Sequence, residues 1–300
     1  MNKVCILGTG GIGDCLQSIK AAYFIEKKIG KGNIDIRLFI RKEVFNPINY
    51  LYGNLFSLYN HIELNEESII KLSKIGNYFG QSYEETLFLW PDTLFAHFSN
   101  KYAGIEAIKQ VRLLTHEYNP ENVIYLALHS STNGYVRTDI IQIIKFLSYN
   151  FPSYLIYYAN LKEWAGKILN SYIDRKMVDG IKNIFLDESQ DFIESLKWLK
   201  KACFVLCTDN GIMHLAHDIS IPYICLDPQF GKLPFITRWK NYENCIPFNT
   251  EISYIIKMIQ FNLDIPATQL FDRKILLDII QKDSMLKKVT DWQNLLLLKY

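Results

Sequence analysis

Short hydrophobic runs recur along the chain and alternate with segments of helical periodicity. Residues 4–7 form an apolar run that ends at Gly8, residues 14–29 carry a helical pattern, and residues 34–40 alternate. A short apolar run bounded by glycine is typical of a strand that is buried on both faces of a parallel sheet. The opening of the chain therefore predicts a strand, a helix and a second strand.

The same alternation returns in the second half of the chain, after a less regular stretch and a polar, turn-rich segment at residues 117–122. Repeated strand–helix units of this length predict an α/β fold with a doubly wound parallel sheet. We predict two Rossmann-like domains, residues 1–120 and 121–250, and C-terminal helices at residues 251–300 that pack on the body. Apolar segments at residues 62–64 and 86–90 could be strands. Further strands are predicted at residues 123–128, 154–158, 182–186, 204–208 and 223–226, and helices at 138–149, 161–173, 192–201 and 210–219.

Composition and charge exclude several classes of protein. With 300 residues, 49% of them hydrophobic, the chain is too apolar to be largely disordered. Its net charge of +2 lacks the basic excess of a nucleic-acid binder. No apolar run approaches the roughly 18 residues of a membrane span, and the first residues do not resemble a signal peptide. We expect a cytoplasmic protein with at most peripheral association at the inner face of the membrane.

The six cysteines form no C-x-x-C pair, and most stand in or beside apolar runs. A thiol in such a run behaves as a small hydrophobic side chain. Free thiols in a reducing compartment are therefore favoured over disulfides or a zinc site.

The first glycine-rich loop contains Gly8, Gly10 and Gly13 in the spacing G-x-G-x-x-G, between the first strand and the first helix. This spacing suits a dinucleotide pyrophosphate at a helix N-terminus, but it also suits a tight turn without a ligand. A nicotinamide site usually has an acidic residue after the second strand. Arg41 and Lys42 stand there instead, which would suit only a 2′-phosphate.

Asp14 directly follows the last glycine of this loop. An acidic residue in the first turn stabilises the helix dipole, but it would repel a phosphate that docked there. The alternative is a carboxylate that the glycine turn holds over a cleft for chemistry.

A second loop follows a buried strand and begins with Asp209, Asn210 and Gly211. Aspartate and asparagine are good N-caps. Glycine at the helix start is expected to let free N–H groups point into the crevice, where a diphosphate would fit. His214 and His217 are close enough on a helix to suggest a metal pair, but no H-E-x-x-H motif or cysteine cluster accompanies them.

A third loop, H-S-S-T-N-G at residues 129–134, follows the first strand of the second half and precedes Arg137. Its hydroxyls, its backbone amides and the arginine could cradle a phosphate. An ordinary polar loop is the alternative.

Two of these segments resemble a known family. Residues 6–14 resemble its opening L-G-x-x-G-D motif, and residues 207–216, C-T-D-N-G-I-M-H-L-A, resemble its N-D-[ST]-G-x-x-H-L-A motif, with Ile221-Pro222 in the turn that follows. The family is glycosyltransferase family nine, which contains the ADP-heptose:lipopolysaccharide heptosyltransferases. The resemblance covers roughly residues 1–40 and 122–230.

The resemblance implies a GT-B fold, with two Rossmann-like domains that face each other across a cleft. It implies an inverting transfer without a metal or other cofactor, from a nucleoside-diphosphate sugar, ADP-linked in the family, to a glycan, lipid-linked or other hydroxyl acceptor. It makes Asp14 the general base. The nucleotide-sugar would contact Gly10, Gly11, Gly13, Ser130, Ser131, Thr132, Arg137, Asp209, Asn210, Gly211, Ile212, Met213 and His214.

The chemistry agrees with this assignment, because an attacking hydroxyl must lose a proton and a carboxylate can accept it. Helix N-termini and an arginine can stabilise the charge of a departing diphosphate without a metal. Two other functions stay open at this point. One is an NADP-linked oxidoreductase that uses the first glycine loop, and the other is a non-catalytic protein that binds nucleotide-sugars.

Overall fold

The computed structural model describes residues 2–8, 11–30, 34–56, 60–64, 85–88, 119–129, 139–164, 167–168, 172–227 and 244–263. Its strands form two parallel sheets, one from each half of the chain, and a two-stranded hairpin. Among the described helices, none combines the length and the apolar character needed to cross a membrane.

The first sheet has the strand order β3-β2-β1-β4, and every described strand pair in it is parallel. Helix α1 follows β1, and helix α2 follows β2. The elements are β1 (Asn2–Gly8), α1 (Ile12–Ile29), β2 (Ile34–Arg41), α2 (Lys42–Phe56), β3 (Asn60–Leu64) and β4 (Glu85–Phe88).

The second sheet has the strand order β12-β11-β10-β5-β6-β9 and is also parallel. Its strands are β5 (Val123–Ala127), β6 (Leu155–Ala159), β9 (Ile184–Asp187), β10 (Phe204–Thr208), β11 (Tyr223–Asp227) and β12 (Cys245–Pro247), and β7 (Glu163–Trp164) and β8 (Lys167–Ile168) form the hairpin. The helices are α3 (Ile140–Asn150), a short 3-10 helix (Arg175–Val178), α4 (Phe192–Lys201), α5 (Gly211–Ile219) and α6 (Ile252–Leu263).

Each sheet changes its winding direction once. In the first sheet the change lies between β1 and β4, and in the second it lies between β5 and β10. Open parallel sheets bind ligands at such switch points, outside the carboxyl ends of the strands. The carboxyl ends of β1, β5 and β10 therefore lie at these two crevices, and the sequence motifs follow these three strands along the chain.

Both faces of the second sheet are buried. Along β5, Val123 and Tyr125 pack in one hydrophobic cluster, whereas Ile124 and Leu126 pack in another on the opposite face. Helices α4 and α5 cover the first face, and α3 and α6 cover the second. These runs are continuously apolar because the strands have no face exposed to solvent.

The two halves share one of these clusters. Buried residues of α1 and α2, such as Leu16 and Ile48, belong to the same cluster as Leu199 of α4 and Leu215 of α5. Helix α1 contacts α5, and α2 contacts α4. The halves are therefore joined through a layer of four helices with a common apolar core.

The predicted α/β fold with parallel sheets is confirmed, and within the described residues the predicted strands and helices recur with small shifts at their ends, apart from the helix predicted at residues 161–173. Helix α4 begins and ends at the predicted residues. The division into domains at residue 120 falls between β4 and β5 and stays a prediction. Of the predicted C-terminal helices, α6 packs on the second sheet, and residues 264–300 lie outside the described residues.

The predicted helix at residues 161–173 is wrong. Glu163 and Trp164 pair with Lys167 and Ile168 as an antiparallel hairpin, and Gly166 between them disfavours a helix. At the end of the segment, tertiary hydrogen bonds replace helical ones.

Asn160 makes those hydrogen bonds. This buried side chain accepts a hydrogen bond from the Ile173 backbone N–H and donates one to the Ile173 carbonyl, both at 2.8 Å. It therefore fixes the return of the chain toward the second sheet.

We predict that Asn160→Ala lowers the free energy of unfolding by about 2–4 kcal/mol, because two buried backbone groups of Ile173 lose their partner. Urea unfolding followed by circular dichroism measures the change. Asn249→Ala, at an exposed position, is the control and should stay within about 0.5 kcal/mol of wild type. Equal stabilities of the two variants would contradict this role of Asn160.

Candidate functional site

Helices α1 and α5 lie side by side and run in the same direction. Ile12 in the first turn of α1 meets Gly211 in the first turn of α5, and two turns later Lys20 meets Asp218. Each helix begins just after the carboxyl end of its strand, β1 or β10. Two such helices with adjacent N-termini bring the switch points of the two sheets together, so the two crevices adjoin.

Glycines allow this close contact. A Cβ atom on Gly13 would lie 2.8 Å from Nε2 of His214 and closer still to its Cδ2, well within van der Waals contact distance of the imidazole ring. A Cβ atom on Gly211 would lie 3.0 Å from Cβ of Ile12. The last glycine of the first motif and the histidine of the second are therefore in direct contact, although 201 positions separate residue 13 from residue 214.

Asn210 caps α5 and ties two strands together. Its Oδ1 accepts hydrogen bonds from the backbone N–H groups of Ile212 at 3.0 Å and Met213 at 3.3 Å. Its Nδ2 donates to the carbonyls of Ala127 at 2.9 Å and His129 at 2.7 Å. Asn210 thus fixes the start of α5 against the end of β5, across the switch point of the second sheet.

This cap corrects one expectation from the sequence. The N–H groups of Ile212 and Met213 are not free, because Asn210 already accepts both of them. The side chains of these two residues are buried in the core that the halves share. The amide of Gly211 is not among the donors that the cap uses, and Asp209 and His214 are only half-buried at this turn.

His129 is a residue of the crevice to which the sequence analysis assigned no individual role. It lies two residues after the end of β5, and its carbonyl accepts a hydrogen bond from Asn210. Its Nδ1 is buried and has no hydrogen-bond partner among the described residues. Burial lowers the pKa of His129 to about 4, so the imidazole is neutral near pH 7.

The described residues contain only part of the predicted site. They bring together Gly13, Gly211 and His214, and they place the Asp14 backbone in the first turn of α1. The side chain of Asp14 lies outside the described part of the structure. Gly11 directly precedes α1. Gly10, Ser130, Ser131, Thr132 and Arg137 lie outside the described residues, and all the predicted ligand contacts stay predictions.

The two histidines of α5 point to different partners. His214 lies on Gly13, whereas the ring of His217 meets the edge of Tyr223 with 6.1 Å between ring centroids. Within the described part of the chain, no group of three or more His, Cys, Asp or Glu side chains is placed to hold a metal ion. Metal independence of the function stays a prediction.

We predict that Gly13→Ala lowers the free energy of unfolding by about 1–3 kcal/mol, because the added methyl group overlaps the His214 ring. Gly11→Ala is the matched control, since a Cβ atom there would meet nothing within 4 Å. Thermal and urea unfolding measure the stabilities of both variants. The double variant Gly13→Ala/His214→Ala should recover much of the loss, because removal of the ring leaves space for the methyl group. A Gly13→Ala protein as stable as the Gly11→Ala protein would refute the contact.

We predict that His129 makes stability depend on pH between about 6.5 and 4. The folded-state pKa lies below the unfolded one, so the unfolded chain binds more protons in this range and stability falls as the pH falls. The full effect is roughly 3 kcal/mol, present above pH 6.5 and lost by pH 4. Urea unfolding of wild type and His129→Leu at several pH values isolates the contribution of His129 to the free energy of unfolding. A loss of the same size in both proteins would contradict the prediction.

No protein-family profile matches the chain, and no curated protein sequence matches it either. Solved structures do match. The chain is similar to E. coli heptosyltransferase WaaC with ADP, at 12% sequence identity and a TM-score of 0.53, over 87% of this chain and 98% of that one.

Two further structures are similar. E. coli ADP-heptose lps heptosyltransferase II matches at 11% identity and a TM-score of 0.53, over 87% of this chain and 98% of that one. A glycosyl transferase family 9 protein from Veillonella parvula matches at 10% identity and a TM-score of 0.50, over 100% and 98% of the two chains. At these identities the likeness concerns the fold, and it confirms the predicted GT-B architecture of two facing Rossmann-like units.

Proposed function

We propose that the chain is a glycosyltransferase that moves a sugar from a nucleoside-diphosphate donor to a hydroxyl group of an acceptor. One observation carries the proposal: the first turns of α1 and α5 touch at two adjoining switch-point crevices. A group-transfer enzyme needs two substrates to meet at one place. Two crevices that open beside each other can hold one substrate each. We assign the acceptor to the first half and the donor to the second.

On the acceptor side we propose Asp14 as the general base. Its carboxylate would take the proton of the acceptor hydroxyl as that oxygen attacks the anomeric carbon. The bond from the anomeric carbon to the diphosphate breaks, and its electron pair leaves with the diphosphate. Attack from the face opposite the leaving group inverts the anomeric centre.

On the donor side we propose that the N-terminus of α5 faces the diphosphate. The helix dipole presents partial positive charge there, which stabilises the growing negative charge of the leaving group. Because Asn210 occupies two of the amides, the proposed direct contacts are the amide of Gly211 and the imidazole of His214. We further propose Arg137 and the hydroxyls of Ser130, Ser131 and Thr132 as diphosphate contacts.

ADP-heptose is the first donor to test. Of the similar structures, one is described as a complex with ADP and another with ADP-2-deoxy-2-fluoro heptose. We propose a reaction of this type, without a metal, in the assembly of a glycan such as lipopolysaccharide. The acceptor would be a glycan or a lipid-linked glycan.

A thermal-shift series with ADP, UDP, GDP, CDP, their sugar conjugates and NADPH tests the donor class. A ligand at about 100 times its Kd should add about 2.7 kcal/mol of stability. A shift with one nucleoside diphosphate, in the presence of EDTA, supports a metal-independent transferase. A shift with NADPH alone would overturn the proposal in favour of an oxidoreductase, and donor binding without any transfer would indicate a non-catalytic binding protein.

We predict that Asp14→Asn lowers kcat for sugar transfer by about 10²–10⁴-fold, because the acceptor hydroxyl loses its base. Donor binding, measured by calorimetry, should stay within about twofold, since the carboxylate does not hold the diphosphate. Glu194→Gln, which removes an acidic residue from the first turn of α4, is the matched control and should keep full activity. Full activity of Asp14→Asn would refute the assignment of the base.

A further inference from the structure

A buried ion pair joins the two halves of the chain. Nζ of Lys20 on α1 lies 2.8 Å from Oδ1 of Asp218 on α5, and the two side chains are 2% and 0% exposed. The other carboxylate oxygen, Oδ2, accepts a hydrogen bond of 2.6 Å from the hydroxyl of Tyr52. Both oxygens of an aspartate from the second half are therefore held by side chains from the first half.

Tyr52 reaches this position from a bend in α2. Its backbone, with φ −128° and ψ 24°, departs from helical geometry inside the helix. Burial, and then the neighbouring Asp218, raise the pKa of Tyr52 well above its usual value. The hydroxyl therefore stays protonated and remains a hydrogen-bond donor over the whole working pH range.

Stability alone does not explain a polar cluster at this place. Apolar side chains of similar volume usually serve a buried contact as well or better, because charged groups lose their hydration when they are buried. In some proteins a buried polar group instead specifies a single alignment of two helices, as a buried asparagine does in coiled coils. The described residues that pack between these helices are mostly apolar, and an apolar interface would tolerate more than one alignment of the helices.

The positions along the helices show which alignment is specified. Lys20 is two turns after Gly13, and Asp218 is one turn after His214, so the ion pair and the Gly13–His214 contact lie on the same helix–helix interface. A slide of α1 along α5 by one turn, about 5.4 Å, would leave Asp218 buried without its cation. It would also separate the two first turns.

We infer that Lys20, Tyr52 and Asp218 form an alignment lock, which fixes the relative position of α1 and α5 and so acts as a positioning device for the transfer reaction. None of the three side chains belongs to the first turns themselves. They act through the helices, which carry Asp14 and His214 at their N-terminal ends. The activity part of this inference rests on the proposed function, whereas the structural part does not.

The test replaces the lock by apolar side chains of similar size, in the triple variant Lys20→Met, Tyr52→Phe, Asp218→Val. This variant removes both charges of the described ion pair together, so it should fold, whereas Lys20→Met alone leaves the buried Asp218 without its cation. The matched control is Lys200→Met, which removes a half-exposed contact between the halves, the Lys200 ammonium 5.0 Å from the centre of the Tyr50 ring.

Spin labels on p-acetylphenylalanine at the exposed positions 23 and 197 report the distance between α1 and α4 without using the native cysteines. We expect one narrow distance distribution in wild type and Lys200→Met, and a broad or shifted one in the triple variant. Identical narrow distributions in all three proteins would overturn the inference, whatever the protein catalyses.

Activity then separates a positioning role from a purely structural one. In the triple variant we expect kcat to fall at least about tenfold, because a small misplacement of reacting groups is costly, while the Kd for ADP stays within about twofold. An unchanged kcat together with a broadened distance distribution would refute the positioning role. If wild type binds no nucleoside diphosphate, the proposed function fails, and the distance measurement still decides whether the lock exists.

Discussion

The architecture depends on the contact between α1 and α5. Each helix starts at the switch point of its own sheet, so the way in which they pack decides whether the two crevices meet. The contact is close because glycine stands where each helix approaches the other, Gly13 under the ring of His214 and Gly211 beside Ile12. A side chain at Gly13 would require the His214 ring to move, and one at Gly211 would require the Ile12 side chain to shift.

Polar side chains then fix the relative positions of the helices, which apolar packing alone would leave adjustable. The side-chain amide of Asn210 bonds through both its oxygen and its nitrogen and so holds the start of α5 to the end of β5. Both carboxylate oxygens of Asp218 contact side chains of the first half and so hold α5 to it. Hydrophobic packing is not directional, whereas a buried hydrogen bond or ion pair is satisfied in one geometry only. Helix α5 is thereby held at both ends, and one end lies at the candidate site.

The same reasoning explains how a fold can persist at 10–12% identity. Switch points, strand order and a glycine at each helix crossing are constraints of topology and space, and many sequences satisfy them. In the proposed transferase, the choice of nucleotide, sugar and acceptor would depend instead on loop side chains at the crevices. A similar fold therefore does not identify the substrates, which must be determined by experiment. Substitutions in the segments that follow β1, β5 and β10 are the most informative ones for that purpose.

The sequence by itself determined most of the local structure and indicated where a site is to be sought. Apolar runs such as residues 204–208 predicted buried strands, and α4 was predicted to the residue, because a short periodic pattern encodes local burial. The sequence also located the two motif turns, since cap and glycine chemistry is local. It mispredicted residues 161–173, where Asn160 supplies hydrogen bonds from outside the segment.

Only the tertiary structure decided which distant residues meet. The contact of Gly13 with His214, the hydrogen bonds from Asn210 to the carbonyls of Ala127 and His129 and the pairing of Lys20 with Asp218 depend on how elements far apart in the chain pack together. No pattern within a single segment encodes that arrangement. From the sequence alone, a lysine within a helix such as Lys20 would be expected to be exposed to solvent. It is buried and paired with Asp218 only because a second helix packs against it.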